Sequence, residues 1–383
     1  MEKKILHIAD LHYRAKWLDE IHKCAMWVAE QTDEVDLIVL AGDLYDGPMP
    51  LDSEPVKRAI DFVKILANRA PVLAVRGTYT HDRGQMHILS KISSRFPILV
   101  ESKPGVVILP RQPGVVSWHI GHLEIGDPIP DDVGFIIGCL PEPPRLLDQA
   151  HADGMVQAIC AGFRATAAAA RIPMVVAGHI GVTAAQMSND SPLGQWVSRS
   201  SLEASNALVM LGHIHRPQMV GDSICYAGST SVLNFGEDHP HGFYIHTVRE
   251  NNWDSKYVET PHRRIVKIEV LENGNLQAEI NLLADAIKDN PVLARVWPGK
   301  TTSGTDLRTM LETTIRGLGA YDFKIDIIRE DEIHIRNEDV AKAKSLREKI
   351  RAMAPDTDLG VLGKADLLEQ TPEDKLLEEA RMV

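Results

Sequence analysis

The sequence predicts an α/β fold, because short apolar runs alternate with segments of helical length. The runs "KKILHIA", "DLIVLA" and "PVLAV" are rich in Ile, Val and Leu, and each ends in turn residues, as buried strands do. Residues 16–31 and 53–68, which lie between these runs, have the length and apolar spacing of helices. The alternation is typical of a doubly wound sheet with helices packed on its faces.

The rest of the chain divides into further segments of predicted structure. Strands are predicted within 98–124 ("ILV", "GVVIL", "GVVSWHI"), a long Ala-rich helix at 144–170, and four more strands up to residue 248 ("IPMVVAGH", "NALVMLGH", "SICYAGS", "GFYIHTV"). The segment "RRIVKIEVLENGNLQAEI" predicts a hairpin that turns at Asn273-Gly274. A strand "VLARVWPG", a helix at 306–316 and paired strands "FKIDIIRE" and "EIHIRN" complete a small α+β domain. We expect three parts, at 1–250, 262–336 and a helical tail at 338–383.

Composition limits the class of protein without indicating its chemistry. The net charge of -12 argues against a broadly basic nucleic-acid-binding surface, although bound divalent cations would reverse the local sign at a site. The four cysteines include no CxxC pair, which indicates free thiols in a reducing compartment. The N-terminus "MEKKILHIADLH" is typical of a strand rather than a signal peptide, and no apolar run has membrane length. We expect a cytoplasmic protein that does not associate with membranes.

Aspartate and histidine residues follow five of the apolar runs. A lone His or Asp in such a place is usually an ordinary surface, core or turn residue, but five together predict a cluster, since strand ends line the ligand crevice of α/β sheets. Carboxylate and imidazole ligands without thiolate suit catalytic Mn, Fe or Zn, and two such ions clamp a phosphoryl group and activate water. The residues therefore predict phosphoester hydrolysis. They are Asp10, His12, Asp43, Asp46, His81, Asp82, His179, His213 and His215.

The motifs "DLH", "GDLYD", "THD", "AGH" and "GHIH", in this order, resemble the five motifs of calcineurin-like metallophosphoesterases. Within that superfamily, "ILHIADLH", "VLAGDLYD", "LVMLGHIHRPQ" and "YAGST" are similar to SbcD-type DNA repair exonucleases over roughly residues 1–248. The resemblance implies a layered α/β/α core followed by a DNA-capping domain at 262–336. It also implies a homodimer, and a C-terminal tail at 338–383 that docks an SbcC-like, SMC-type ATPase.

The resemblance also implies a ligand set for two divalent ions of the Mn2+ type. In this assignment Asp43 bridges the two ions. The family's Asn ligand is missing from "VRGTYTHD", and Thr80 precedes the His, so we expect Thr80 to replace the Asn as a weaker ligand of the second ion. The remaining ligands are Asp10, His12 and His215 for the first ion, and His179 and His213 for the second.

The roles of the catalytic residues follow from the same resemblance, and the predicted phosphate contacts follow from their places beside the metal motifs. His81 corresponds to the family's catalytic His, which stabilises or protonates the leaving oxygen, and Asp82 is expected to orient it by a hydrogen bond. Arg14, Lys16 and Arg216 lie beside the metal motifs and are predicted phosphate contacts.

These assignments predict a manganese-dependent DNA exonuclease and endonuclease that acts on double-stranded ends and single strands in DNA repair and recombination. Two alternatives stay open. The first is a small-molecule phosphodiesterase or phosphatase of the same fold, which the extra domain after residue 248 disfavours. The second is a DNA-end-binding scaffold subunit whose second metal site is weakened by the loss of the Asn.

Overall fold

The structure is a computed structural model that describes residues 2–32, 34–110, 122–143, 148–186, 196–250, 252–271, 275–298 and 303–328. The predicted strands "GVVSWHI" and "EIHIRN", the Asn273-Gly274 turn and the tail at 338–383 lie outside these residues. The chain divides into two compact units, residues 1–265 and 266–383. In the described ranges, no helix is long and apolar enough to cross a membrane.

The described part of the first unit consists of strands joined by helices. A short 3-10 helix at Gln85–Lys91 follows the third α-helix. The α-helices are α1 (Leu18–Glu30), α2 (Glu54–Ala67), α3 (Tyr79–Asp82), α4 (Gln149–Ala170) and α5 (Arg199–Glu203). The strands are β1 (Lys3–Ile8), β2 (Leu37–Ala41), β3 (Val72–Val75), β4 (Ile98–Glu101), β5 (Gly105–Pro110), β6 (His122–Leu123), β7 (Val133–Leu140), β8 (Met174–His179), β9 (Gly181–Val182), β10 (Trp196–Val197), β11 (Leu208–Gly212), β12 (Gln218–Val220), β13 (Ile224–Tyr226), β14 (Gly242–Val248) and β15 (Trp253–Glu259).

These strands form two main sheets. The first sheet has the order β15-β14-β1-β2-β3-β4, in which β1 to β4 are parallel and β14 and β15 are antiparallel additions. The second has the order β12-β13-β11-β8-β7-β5-β6, with β7, β8, β11 and β13 parallel. Strands β9 and β10 pair separately. Each sheet thus has a parallel centre, whose strands all end at one edge.

Three apolar layers show how the sheets pack. Leu6 and Ile8 of β1 lie in a core shared with α1 and α2, and a second core places β7, β8 and β11 against α4. Ile5 and Ala9 lie in a third core, which packs the two sheets against each other. Burial on both faces explains why β1 to β3 read as nearly continuous apolar runs. The predicted α/β class is confirmed, and its β layer consists of two sheets.

Strand β7 was missed by the sequence analysis. Its sequence, VGFIIGCL, is fully buried but contains two glycines, which weaken strand propensity. Gly138 has a packing role, because a Cβ atom there would lie 2.5 Å from the Phe163 ring of α4. The glycine lets the helix approach the strand closely, and such a contact has no signature in local sequence.

In the second unit, a helix joins the first two strands in place of the predicted hairpin turn. Its strands β16 (Val266–Val270), β17 (Pro291–Val296) and β18 (Asp322–Ile327) are parallel and are covered by α6 (Leu276–Ile287) and α7 (Gly304–Gly317). The predicted hairpin is therefore wrong, because "LQAEI" begins α6. The Asn275 side chain accepts a hydrogen bond from the Ala278 backbone N–H and caps that helix.

Candidate metal centre

The strand-end side chains predicted from the sequence lie together at the edge where the parallel strands end. Asp10 and Asp43 each belong to two groups of side chains whose ligand atoms lie within 4.8 Å of one another. Groups that share carboxylates in this way fit two neighbouring cations. The groups are Asp10, His12 and His215; His12, Asp43 and His81; and Asp10, Asp43 and His179.

Sharp backbone turns place these side chains. Asp10, His12, Asp43 and His213 have positive φ angles of 51°, 49°, 52° and 95°. A left-handed conformation costs a non-glycine residue about 1–3 kcal/mol, and such residues concentrate at functional sites. The His213 backbone N–H donates to both oxygens of Asp10, at 2.9 and 3.1 Å, which fixes this turn against the first sheet.

Asp43 is the most densely contacted carboxylate of the centre. Its Oδ1 accepts a hydrogen bond from the Thr78 backbone N–H at 2.6 Å, and its Oδ2 lies 2.8 Å from Nδ1 of His81 and 3.2 Å from Nε2 of His179. Burial alone would raise the pKa of Asp43, but the His179 imidazole and the hydrogen bonds from both histidines lower it well below its usual range. The carboxylate is thus ionised and surrounded by potential metal ligands.

His179 is oriented by the backbone of the first sheet. Its Nδ1 donates to the Ala41 carbonyl oxygen at 2.8 Å, so Nε2 is the atom that faces Asp43. Gly42 makes this approach possible, since it has a φ of +84° and a Cβ atom there would lie 2.2 Å from Nδ1 of His179. Burial would lower the pKa of His179, but the Asp43 carboxylate raises it to about 10.

Glu237 is a site residue that the sequence analysis missed. Its Oε1 accepts a hydrogen bond from Nδ1 of His215 at 2.6 Å, and Nε2 of His215 lies 3.2 Å from Nε2 of His12. Glu237 is 2% exposed, and although burial opposes ionisation, the His215 imidazole lowers its pKa to about 2. A carboxylate on the outer nitrogen of a metal-binding His fixes the ring and raises its basicity. Only folding brings this pair together, because Glu237 lies in a loop 22 residues beyond His215.

The hydroxyl expected from Thr80 is supplied by Thr78 instead. Thr78 Oγ1 lies 3.1 Å from Oδ2 of Asp43 and 3.3 Å from Nε2 of His179, whereas Thr80 is exposed. The reason is local: residues 79–82 form the single helical turn α3, which carries Thr80 away from the carboxylates. The assignment of Thr80 as a ligand is corrected on this geometry, and Thr78 takes the position beside Asp43.

His81 and Asp82 have different surroundings from each other. His81 donates from Nδ1 to Asp43, and its ring packs edge-on against His12 with a centroid distance of 4.8 Å. Asp82 is fully buried, and its carboxylate accepts the backbone N–H groups of Asp43, Gly77 and Tyr45 at 3.0, 2.8 and 3.3 Å. The expected hydrogen bond from Asp82 to His81 is therefore wrong. Asp82 joins the loops after β2 and β3 and positions Asp43.

The electrostatics of Asp82 fit that role. Burial and the Asp43 charge raise its pKa to about 7, against the opposing effect of the Gly77 N–H. A buried acid held by three backbone donors is a structural feature of the loops rather than a group that contacts substrate.

Comparison with known proteins identifies the family of the core. Residues 3–217, more than half of the chain, match the calcineurin-like phosphoesterase family. The chain belongs to that family. It is also 24% identical over 321 residues to the SbcD subunit of the nuclease SbcCD from Escherichia coli K12 and from Escherichia coli O157:H7, covering 76% of this chain and 76% of each relative.

Family membership and geometry together make the chain a metal-dependent phosphoesterase. The donor set of carboxylates and imidazoles fits divalent ions, and the rings of His179 and His215 are held with one nitrogen facing the cluster. The rings of His179 and His213 lie with centroids 5.2 Å apart, so His213 is beside the Asp10, Asp43 and His179 group.

The three basic residues that the sequence predicts as phosphate contacts lie in different environments. Arg14 donates to both oxygens of Asp46, at 3.3 and 3.4 Å, and to the Leu233 carbonyl oxygen, and Asp46 in turn lies 3.1 Å from Nδ1 of His12. Arg14 thus positions Asp46, which contacts the predicted metal ligand His12. Lys16 is exposed, with Nζ 5.0 Å from the Trp17 ring centroid, and Arg216 is partly buried next to His215. Phosphate contacts by these three residues stay predictions.

Replacing Glu237 with Gln should weaken metal binding by about 10- to 100-fold, the range for loss of a carboxylate partner of a ligating His. The substitution keeps the shape of the side chain but removes the charge that orients His215. Manganese titration by calorimetry measures the effect. Asp238→Asn, an exposed neighbour, is the matched control and should leave the affinity unchanged. Equal affinities for the two variants would contradict a role of Glu237 in metal binding.

Replacing Thr78 with Val should raise the manganese concentration needed for half-maximal activity by about 10-fold, because it removes a hydroxyl beside Asp43 and His179 at nearly constant shape. The exposed Thr80→Val is the control and should behave as the wild type. If Thr80→Val were the variant that required more manganese, the placement of α3 described above would be incorrect.

Proposed function

We propose that this phosphoesterase is a manganese-dependent nuclease that hydrolyses phosphodiester bonds at DNA ends. The observation that carries the proposal is the set of three ligand groups that Asp10 and Asp43 link within the calcineurin-like core. The similarity to the SbcD subunit of the nuclease SbcCD over 76% of the chain supports DNA as the substrate.

In this proposal Asp10, His12 and His215 hold one ion, His179 and His213 hold the other, and Asp43 bridges them. Divalent ions bound there would polarise the phosphoryl oxygens and lower the pKa of the attacking water. Thr78 orients Asp43 through its backbone N–H, and Asp82 joins the two loops that carry these residues.

His81 is the proposed catalytic residue. Its Nδ1 is engaged with Asp43, and in the described residues its Nε2 forms no hydrogen bond, so that atom is available to the leaving oxygen. The side chain is 31% exposed, whereas that of Asp43 is 4% exposed, which makes His81 the more accessible of the two to substrate. Protonation or charge stabilisation of the leaving oxygen by such a group is general acid chemistry.

A manganese-dependent assay on labelled DNA tests the proposal. We expect linear duplex DNA to be degraded from its ends, a covalently closed circle of the same sequence to resist, and no reaction in EDTA. Rapid hydrolysis of bis-p-nitrophenyl phosphate without cleavage of DNA would instead indicate a small-molecule phosphodiesterase. Binding of linear DNA without cleavage would indicate an end-binding scaffold.

We further propose that the protein is a homodimer and that residues 338–383 dock an SbcC-like, SMC-type ATPase. The support is the similarity to a nuclease subunit named as part of SbcCD. A chain truncated after Ala354 should keep its intrinsic nuclease activity, because the metal centre lies in residues 1–265, but should not co-purify with the ATPase. Undiminished co-purification of the truncated chain would contradict the docking assignment.

A further inference from the structure

Three side chains of metal-ligating types lie in the apolar core between the two sheets, outside the strand-end centre. They are His7 of β1, Cys225 of β13 and His246 of β14, and all three are 0% exposed. One ligand atom from each lies within 4.8 Å of the others. This is a compact set of two imidazoles and a thiol within an apolar core layer.

The cluster spans both sheets. His7 and His246 belong to neighbouring strands of the first sheet, and Cys225 belongs to the second. Ile5, Ala9 and Ala227 lie in the core layer between the sheets. Placing imidazoles in such a layer costs free energy unless their nitrogens are paired, whereas aliphatic side chains would carry no such cost.

The contacts resemble those around a bound ion. Nδ1 of His7 lies 3.2 Å from Nε2 of His246, while Nδ1 of His246 lies 2.8 Å from the Ser255 hydroxyl. A hydrogen bond on the outer nitrogen of a His is the usual support of a metal ligand. Two nitrogens bound to one tetrahedral Zn2+ lie roughly 3.3–3.4 Å apart, close to the separation seen here.

Metal binding requires the neutral form of each imidazole and the thiolate form of the cysteine. A cation bound beside Cys225 would itself favour the thiolate.

We propose that His7, Cys225 and His246 bind one thiophilic transition-metal ion of the Zn2+ class, which cross-links the two sheets. The donor set separates this ion from those of the catalytic centre, where the described residues offer carboxylates, imidazoles and a hydroxyl. Three protein donors leave one coordination position for a further ligand. Because the cluster is fully buried, the ion is taken up as the chain folds.

Cobalt substitution tests the site on the full chain. The protein is produced in minimal medium in which Co2+ replaces Zn2+, and its absorption spectrum and metal content are measured. We expect a near-ultraviolet thiolate-to-cobalt charge-transfer band, which the thiolate-free catalytic centre does not produce. Cys225→Ala should lose the band and one ion per chain. Cys139→Ala, which removes another buried thiol from the same core layer, is the control and should keep both.

The wild-type spectrum decides the proposal even if Cys225→Ala does not fold. Cobalt-loaded wild-type protein without the thiolate band would overturn it, and would leave His7 and His246 as a hydrogen-bonded pair. A band that persists in Cys225→Ala would overturn it as well. The spectrum of cobalt-loaded Asp43→Asn separates this test from the proposed nuclease function. The thiolate band should persist in that variant even if its phosphodiesterase activity is lost.

Discussion

Replacing Asp43 with Asn is expected to reduce manganese-dependent phosphodiester hydrolysis by about 1000-fold, the upper end of the range for loss of a single charge-stabilising group. The carboxylate contacts His81, His179 and Thr78 and belongs to two of the ligand groups, so its charge acts on both proposed ions. Single-turnover cleavage of labelled DNA measures the rate, and calorimetric titration measures the number of bound manganese ions, which should fall by at least one per chain.

Asp61→Asn is the matched control for this prediction, because Asp61 is an exposed carboxylate on α2. It should retain wild-type rate and stoichiometry. Asn can still accept the Thr78 N–H at position 43, so circular dichroism should show a folded protein. Near-normal cleavage by folded Asp43→Asn would mean that the two-ion assignment is wrong.

Replacing His81 with Gln is expected to slow cleavage by about 100-fold or more while metal stoichiometry and DNA affinity stay unchanged, as expected for loss of a general acid or a charge-stabilising group. The substitution distinguishes a catalytic His81 from a metal-binding His81. Both roles fit the structure, because a His81 ligand atom also lies within 4.8 Å of ligand atoms of His12 and Asp43. The exposed His87→Gln is the control and should retain full activity.

Metal titration separates these two roles of His81. A catalytic His leaves both ions bound when it is replaced, whereas a ligand His loses one. If His81→Gln lost an ion, His81 would be a metal ligand and the leaving oxygen would need a different partner.

The positions of the strand-end side chains were predictable because two regularities of the fold act together. Buried parallel strands are recognisable as apolar runs, and their carboxyl ends share one edge of the sheet. Asp10, Asp43 and His179 therefore could be placed near one another without coordinates, and the structure brings their ligand atoms within 4.8 Å.

The finer features of the centre depend on contacts that sequence spacing does not encode. Thr80 was chosen because it precedes His81, but the helical turn α3 exposes it and leaves Thr78 beside Asp43. Glu237 reaches His215 only because its loop folds back to the metal centre. The predicted hairpin failed because a single residue, Asn275, started a helix where the apolar pattern was compatible with a strand.

The division of the proposed ligands between the two sheets has a thermodynamic consequence. Asp10, His12 and Asp43 follow strands of the first sheet, and the other proposed His ligands end or follow strands of the second. Unfolding separates the two sets, so an ion that needs both binds only the native chain. By mass action, each site then adds about 2.7 kcal/mol to the free energy of unfolding when free metal is at 100 times its Kd. The midpoint of thermal denaturation becomes a measure of site occupancy that requires neither DNA nor catalysis.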